Sequence, residues 1–268
     1  MKLLYIFDDK IKPFTMTDKG ICKPAETGII GDGISCIRVY DVNLWFYTKN
    51  GVTVAFDTGH RNFPKIDQQF AKIHLDPNTV KHVFLTHLDT DHAGGIDVSG
   101  RNIFPNAQVY MGAAEKRYMT GEIHRAVRAG IKIKNCVQIK DGYLPITQNT
   151  VFDASGVKVE AIPTPGHTVG HTCYIVDDKV LVTGDCLAIN ETGGYAFFDF
   201  FTQDPARNKK SLRELKKAVS GRDIQYVCTG HSGIYPFTPT IFAHIDESAV
   251  FSKDRPFHKD GPRNPFRD

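Results

Sequence analysis

The sequence predicts an α/β fold, and three observations carry that prediction. Short apolar segments of strand composition alternate along the chain with segments of helical spacing. In the second half, apolar strands run directly into Pro165-Gly166-His167, Gly184-Asp185 and Gly230-His231, so polar side chains follow strands rather than interrupt them. No Ser/Gly-rich tract and no repeat of solenoid period divides the 268 residues, which makes one domain over 1–268 the expectation.

Taken in order, strand composition covers residues 1–7, 34–40, 43–47 and 52–56. The last two are joined across Asn50-Gly51, a dipeptide that accepts the positive φ angles of a tight hairpin turn. A helix is predicted over 66–73, strands over 81–86 and 108–111, and a second helix over 113–129 with a break around Gly121. The run VKVEAIPT is the next strand, and CYIVDDKVLVTGD reads as a hairpin that turns at Asp177-Asp178. A third helix is predicted over 207–219, and IQYVCTGH closes the pattern as a short strand. The tail over 253–268 is polar and proline-containing, so it is expected to be irregular.

With 41% apolar and 24% charged residues the chain can bury a substantial core. A net charge of +3 is too mild to predict a polyanionic partner, and no nucleic acid is expected. Asp8 and Asp9 interrupt the N-terminal apolar run before a signal core could form, and no stretch approaches the roughly 20 apolar residues of a spanning helix. The reading is therefore a cytoplasmic protein without a membrane partner. The six cysteines are scattered with no Cys-x-x-Cys pair, which argues against a disulfide framework or thiolate knuckle, and Cys186 reads as a small buried apolar residue.

The chemistry concentrates in FLTHLDTDHAGG, residues 84–95, where His87, Asp89, Asp91 and His92 fall within six positions. Such side chains resist burial unless something cationic holds them together, and a metal ion is the candidate. His167, Asp185 and His231 then each stand beside a glycine, which permits close turns and leaves room for an ion.

On VAFDTGH, THLDTDHAGG, TPGHTVGH, VTGD and TGH, in that order along the chain, the sequence resembles the metallo-beta-lactamase superfamily. The resemblance implies an αββα sandwich, two packed mixed sheets with helices outside, and a dinuclear metal site along one edge. It implies His87 and His167 on the first metal, Asp91, His92 and His231 on the second, and Asp185 bridging the two. Two divalent ions are expected, zinc first, with iron or manganese as alternatives. This sequence departs from the common His-x-His-x-Asp-His pattern at Asp89, which stands where the second histidine would be. Some superfamily members carry a carboxylate there, so Asp89 is carried forward as a candidate ligand of the first metal. The resemblance also implies that Asp57 braces the metal loop and that His171 orients a neighbour by hydrogen bonding. His60, His74, His82, His124, His244 and His258 have no ligand-like context, although His124 would reach a pocket if its helix formed a lid.

Two metals can share and acidify a water, so the predicted activity is hydrolysis by a metal-bridging hydroxide, with Asp91 or Asp185 managing protons. The expected substrate is a small lactone, ester or thioester. Lactonase-like relatives usually place a tyrosine three residues after the bridging aspartate, where this chain has Ala188. The stretch NETGGYAFFDFFTQD, with Tyr195, Phe197, Phe198, Phe200 and Phe201, offers an apolar pocket, a homodimer contact or core packing. A phosphodiesterase of the same fold, a di-iron redox domain and a non-enzymatic metal-binding sensor are the alternatives.

Overall fold

Two mixed sheets form from the apolar segments. The computed structural model describes residues 21–127 and 130–249, so the expected strand at 1–7 and the tail at 253–268 lie outside the described residues. The first sheet runs β1 (Gly28–Gly31), β2 (Ile34–Val39), β3 (Val42–Lys49), β4 (Val52–Phe56), β5 (His82–Phe84), β6 (Gln108–Gly112) and β9 (Leu144–Ile146). It is antiparallel as far as β4 and parallel beyond it. The second runs β10 (Thr150–Ala154), β11 (Val157–Pro163), β12 (Thr172–Val176), β13 (Val180–Gly184), β16 (Tyr226–Thr229) and β17 (Ile234–Pro236), and its only parallel pair is β13 with β16. A hairpin of β7 (Ala126–Val127) and β8 (Ile131–Lys132) and a small sheet of β14 (Leu187–Asn190), β15 (Gly193–Ala196) and β18 (His244–Ser248) complete the strands.

Both turns read from the sequence form as expected. Asn50 and Gly51 have φ of 52° and 80°, and Asp177 and Asp178 have φ of 47° and 56°, the left-handed values that suit the twist of paired strands.

Alternation along each strand decides the layers. In β3, Trp45 and Tyr47 face inward, while Val42, Leu44 and Phe46 face outward. Trp45, Phe56, Phe84 and Tyr110 of the first sheet meet Val159, Tyr174, Val176 and Val182 of the second in one shared core. The outward side chains of the first sheet pack on Ile66 and Phe70 of α1 (Ile66–Lys72). Those of the second, Cys173 and Ile175, pack with Leu212, Leu215 and Val219 of the longest helix (Pro205–Val219). The order is helix, sheet, sheet, helix, the αββα sandwich expected above.

Between these, among the described residues, lie two one-turn helices, α2 (Thr90–Ala93) and α3 (Lys116–Met119), so the longest described helix is α4. It starts cleanly because Asp204 accepts the Arg207 N–H at 2.9 Å and Pro205 stands in the first turn. The helix expected over 113–129 is much shorter: a 3₁₀ turn at Ala113–Glu115 leads into α3, which ends at Met119. Gly121, at φ 73°, turns the chain away, and the segment pairs as β7 and β8 instead. Helical spacing in that stretch lost to tertiary docking, since Thr90 N–H bonds the Asn135 carbonyl and Val137 N–H the Leu88 carbonyl.

Strands β4, β5, β13 and β16 run toward the same edge, and β11 does too, because it is antiparallel to β12, which is antiparallel to β13. Asp57, His87, His167, Asp185 and His231 therefore leave five strand ends on one side of the molecule.

Candidate metal centre

Rigid strand ends deliver the side chains, and short hydrogen bonds set which ring atoms face the centre. Asp57, at φ 63°, accepts Thr86 N–H at 2.7 Å and Thr86 Oγ1–H at 2.8 Å, and its Oδ2 lies 2.8 Å from His92 Nδ1. Since the Thr86 hydroxyl gives its only proton to Asp57, its oxygen accepts from His87 Nδ1, 2.9 Å away. His231 Nδ1 donates to the Asp41 carbonyl at 2.7 Å. Each imidazole is thus held by Nδ1 and turns Nε2 inward, the arrangement that orients metal-binding histidines.

The inward atoms converge. His92 Nε2 lies 3.3 Å from Asp185 Oδ1, and His231 Nε2 lies 3.1 Å from Asp185 Oδ2 and 3.5 Å from Asp91 Oδ2. His167 Nε2 is 3.8 Å from Asp185 Oδ2. Ligands of a tetrahedral ion at roughly 2.0–2.1 Å stand roughly 3.3 Å from one another, so these separations suit a metal. Of the sets of three possible ligand atoms that lie within 4.8 Å of one another, two gather here: His87, His167 and Asp185, and Asp91, His92 and His231. All are buried, yet His87 Nε2, His92 Nε2 and Asp185 Oδ1 have no hydrogen-bond partner. Orphaned polar atoms aimed at a common point are costly unless a ligand satisfies them, so the residues fit a divalent ion. Gly230 fits the same reading, because a Cβ there would collide with Asp185 Oδ1 and stand 2.8 Å from His92 Cε1.

Asp89 behaves differently from the other six candidates. Its Oδ2 lies 3.7 Å from His87 Nε2 and 3.4 Å from His167 Nε2, but its carboxylate is held by the buried Arg125 guanidinium. Arg125 Nε donates to Oδ1 at 2.9 Å and Nη2 to Oδ2 at 3.0 Å. The same Nη2 donates to the Phe201 carbonyl at 2.6 Å and lies 3.2 Å from His167 Nε2. Sequence reasoning missed Arg125, which sits within a predicted helix; the one signal available was that a buried carboxylate in place of histidine needs a positive partner. His124, which would reach a pocket only if its segment formed a helical lid, is exposed.

Electrostatics follow the same division. Burial would raise the Asp89 pKa, but Arg125, His167 and His87 outweigh it and hold the carboxyl well below its usual range. Burial and the neighbouring His92 push His87 well down, and burial takes His167 down to about 4. His92 goes the other way: burial opposes its charge, yet Asp185 and Asp57 raise it well above the ordinary histidine value. Asp185 stays well below its usual range because His231 and His92 outweigh burial.

Support reaches beyond the candidates. Buried Glu115 accepts Leu88 N–H at 2.8 Å and Gly170 N–H at 2.7 Å, tying the loop of Asp89 to the loop of His167. His171 Nε2 accepts the Asp185 N–H at 3.2 Å, the orienting contact expected of it. Of the aromatic stretch, Phe197 reaches the centre, its ring 5.0 Å from His167 and 5.8 Å from His231. Tyr195 instead stacks on His244 at 4.6 Å and bonds Thr192 through its hydroxyl. Phe197 and Phe198 are buried against Ile21, Cys22 and Ala188, which makes core packing part of the stretch's role.

The sequence profile of the metallo-beta-lactamase superfamily matches residues 37–231. The chain belongs to that superfamily. Membership supports a metal-dependent hydrolase as its class. The chain is 33% identical over 189 residues to the lactamase-like protein nscB of Trichophyton rubrum, covering 70% of this chain and 49% of that protein. It thus spans about half the length of this relative. Its fold is similar to an archaeal superfamily protein from Sulfolobus tokodaii, with a TM-score of 0.52, 19% identity, and 82% and 84% of the two chains covered. A metallo-beta-lactamase with an active-site glutamic acid matches at a TM-score of 0.56 and 17% identity, over 86% and 92% of the chains. Among the described residues no helix is long and apolar enough to cross a membrane.

Proposed function

We propose that the chain hydrolyses a small carbonyl substrate, a lactone, ester or thioester, at a centre that loads divalent metal, zinc in first place. The observation that carries this reading is the convergence of His87 Nε2, His92 Nε2 and Asp185 Oδ1, buried and without hydrogen-bond partners, at one strand edge. Asp91, His92, His231 and Asp185 would hold a metal on one side, and His87 and His167 face it from the other. Bound there, the metal would supply Lewis acidity and bring the pKa of a water toward neutrality.

The chain's own residues supply the rest. Asp185, kept ionised by His231 and His92 against the effect of burial, can take a proton at its carboxylate. Asp91 Oδ2, 3.5 Å from His231 Nε2, is the second proton-handling group. Asp57, Thr86 and Asp41 hold the His92, His87 and His231 imidazoles through Nδ1, so that these three need not reorient during turnover. Phe197 walls the His167–His231 side with an apolar ring, which suits an acyl group better than a phosphate.

The test is turnover of a γ-lactone, a 4-nitrophenyl ester, an acyl thioester and bis(4-nitrophenyl) phosphate, with products identified by mass. Hydrolysis of one or more of the first three is expected, lost with a chelator and in His92→Ala. Cleavage of the phosphodiester alone would replace this reading with a phosphodiesterase, and no turnover by metal-loaded protein would leave a metal-binding sensor.

A further inference from the structure

Arg125 opens the β7 end of a segment that is fastened onto the ligand motif. The Asn135 carbonyl accepts Thr90 N–H at 2.7 Å, Leu88 O accepts Val137 N–H at 3.1 Å, and Asp89 and Cys136 form an isolated bridge. This lacing brings a permanently charged guanidinium, 3% exposed, to the side of the centre where a first metal would sit. Nη2 has two protons and lies within hydrogen-bond distance of Asp89 Oδ2, the Phe201 carbonyl and His167 Nε2, while Nη1 donates to the Ala126 carbonyl at 2.8 Å.

The consequence is a disagreement with a two-ion centre. A cation on His87, His167 and Asp185 would need the His167 Nε2 lone pair that lies 3.2 Å from Arg125 Nη2, and would stand beside a fixed positive charge at low dielectric. It would also compete for Asp89, already bonded at both oxygens to the guanidinium. Displacing the guanidinium from Asp89 would leave a buried positive charge without its carboxylate, so the pair resists displacement. On the other side, Asp91, His92 and His231 gather with carboxylates behind the rings, Asp57 at 2.8 Å from His92 Nδ1 and Asp41 Oδ2 at 3.5 Å from His231 Nδ1.

We propose that Arg125 takes the place of the first metal ion, so that the centre holds one divalent ion, on Asp91, His92, His231 and Asp185, and that Arg125 sets this number. The inference rests on the reading that the chain loads metal. Arg125 is a positioning residue in this scheme: it neutralises Asp89, steadies His167 and joins the β7–β8 segment to the aromatic stretch through Phe201.

The experiment is metal stoichiometry. Metal-free full-length protein is titrated with cobalt(II), following d–d absorbance, and separately reloaded with excess zinc, desalted and assayed by elemental mass spectrometry. One equivalent is expected in the parent by both readouts, and saturation at two would overturn the proposal without any variant. Arg125→Ala, and Asp89→His with Arg125→Ala, which removes both members of the buried pair, should rise to about two zinc ions per chain. A folded variant that stays at one would show that Arg125 does not set the number. Binding of no ion by parent or variants would instead sink the metal reading itself, so the two failures are distinct.

Discussion

The two sides of the centre share the motif that runs from His87 to His92 and meet opposite fates. On the His92 side, anions stand behind the rings, Asp57 behind His92 and Asp41 behind His231, and the inward nitrogens are left facing Asp185. On the Asp89 side, a guanidinium from a distant segment has closed onto the carboxylate and the His167 ring. A cluster of acids and imidazoles thus has two ways to balance its charge, and this chain uses both. One half stays open to a cation, whereas the other brings its own.

The largest effect should come from breaking the open half. Asp185→Ala or His92→Ala is expected to reduce bound metal to under roughly a tenth of an equivalent while circular dichroism stays that of the parent, because the ligands leave strand ends that pack independently of them. Metal content equal to the parent's in either variant would contradict the assignment of these ligands.

A smaller effect tests the brace behind that half. Asp57→Ala leaves His92 Nδ1 and Thr86 without their acceptor, and metal affinity measured by chelator competition should fall roughly 10- to 100-fold. An unchanged affinity would mean that packing alone holds the ring.

Between the halves, Glu115 links Leu88 and Gly170. Glu115→Ala strands two buried N–H groups, at about 3 kcal/mol together, and should lower the Tm by roughly 6 to 12 °C in calorimetry. Were the Tm to stay within roughly 2 °C of the parent, the link would carry no stability.

The smallest effect lies away from the centre, at His82, which joins Tyr110 Oη and Ser155 Oγ, both at 3.0 Å. Burial lowers its pKa from the ordinary 6.5. The unfolded chain therefore takes up this proton first as pH falls, and stability declines from about pH 6.5 down to the lowered folded value, below which the loss is constant. His82→Gln should flatten the slope of Tm against pH in that window. A slope identical to the parent's would assign the pH dependence to other groups.

Much of this is legible in the sequence. The hairpin turns were readable because Asn50-Gly51 and Asp177-Asp178 are local backbone signals, and the longest helix was readable because Leu212, Leu215 and Val219 repeat at helical spacing. The candidate ligands stood out for the same kind of reason: each follows an apolar strand, and His167, Asp185 and His231 each stand next to a glycine, as Gly230 is to His231, where a side chain would fill the space of the centre. The segment after Ala113 was misread as one helix, since its pairing as β7 and β8 depends on docking against Leu88 and Thr90, which lie far away along the chain.

The sequence by itself determined the alternation of strands and helices and the roster of histidines and aspartates, because strand alternation, turn chemistry and ligand spacing are properties of neighbouring residues, while the αββα sandwich was what the family resemblance implied. Only the tertiary structure decided how their charge is balanced. Arg125 stands 36 residues from Asp89, within a segment whose local spacing suggested a helix, and nothing local marks it as a partner. An ion pair across that distance exists only where packing closes the loop, and it is this packing that separates an open cation position from a filled one.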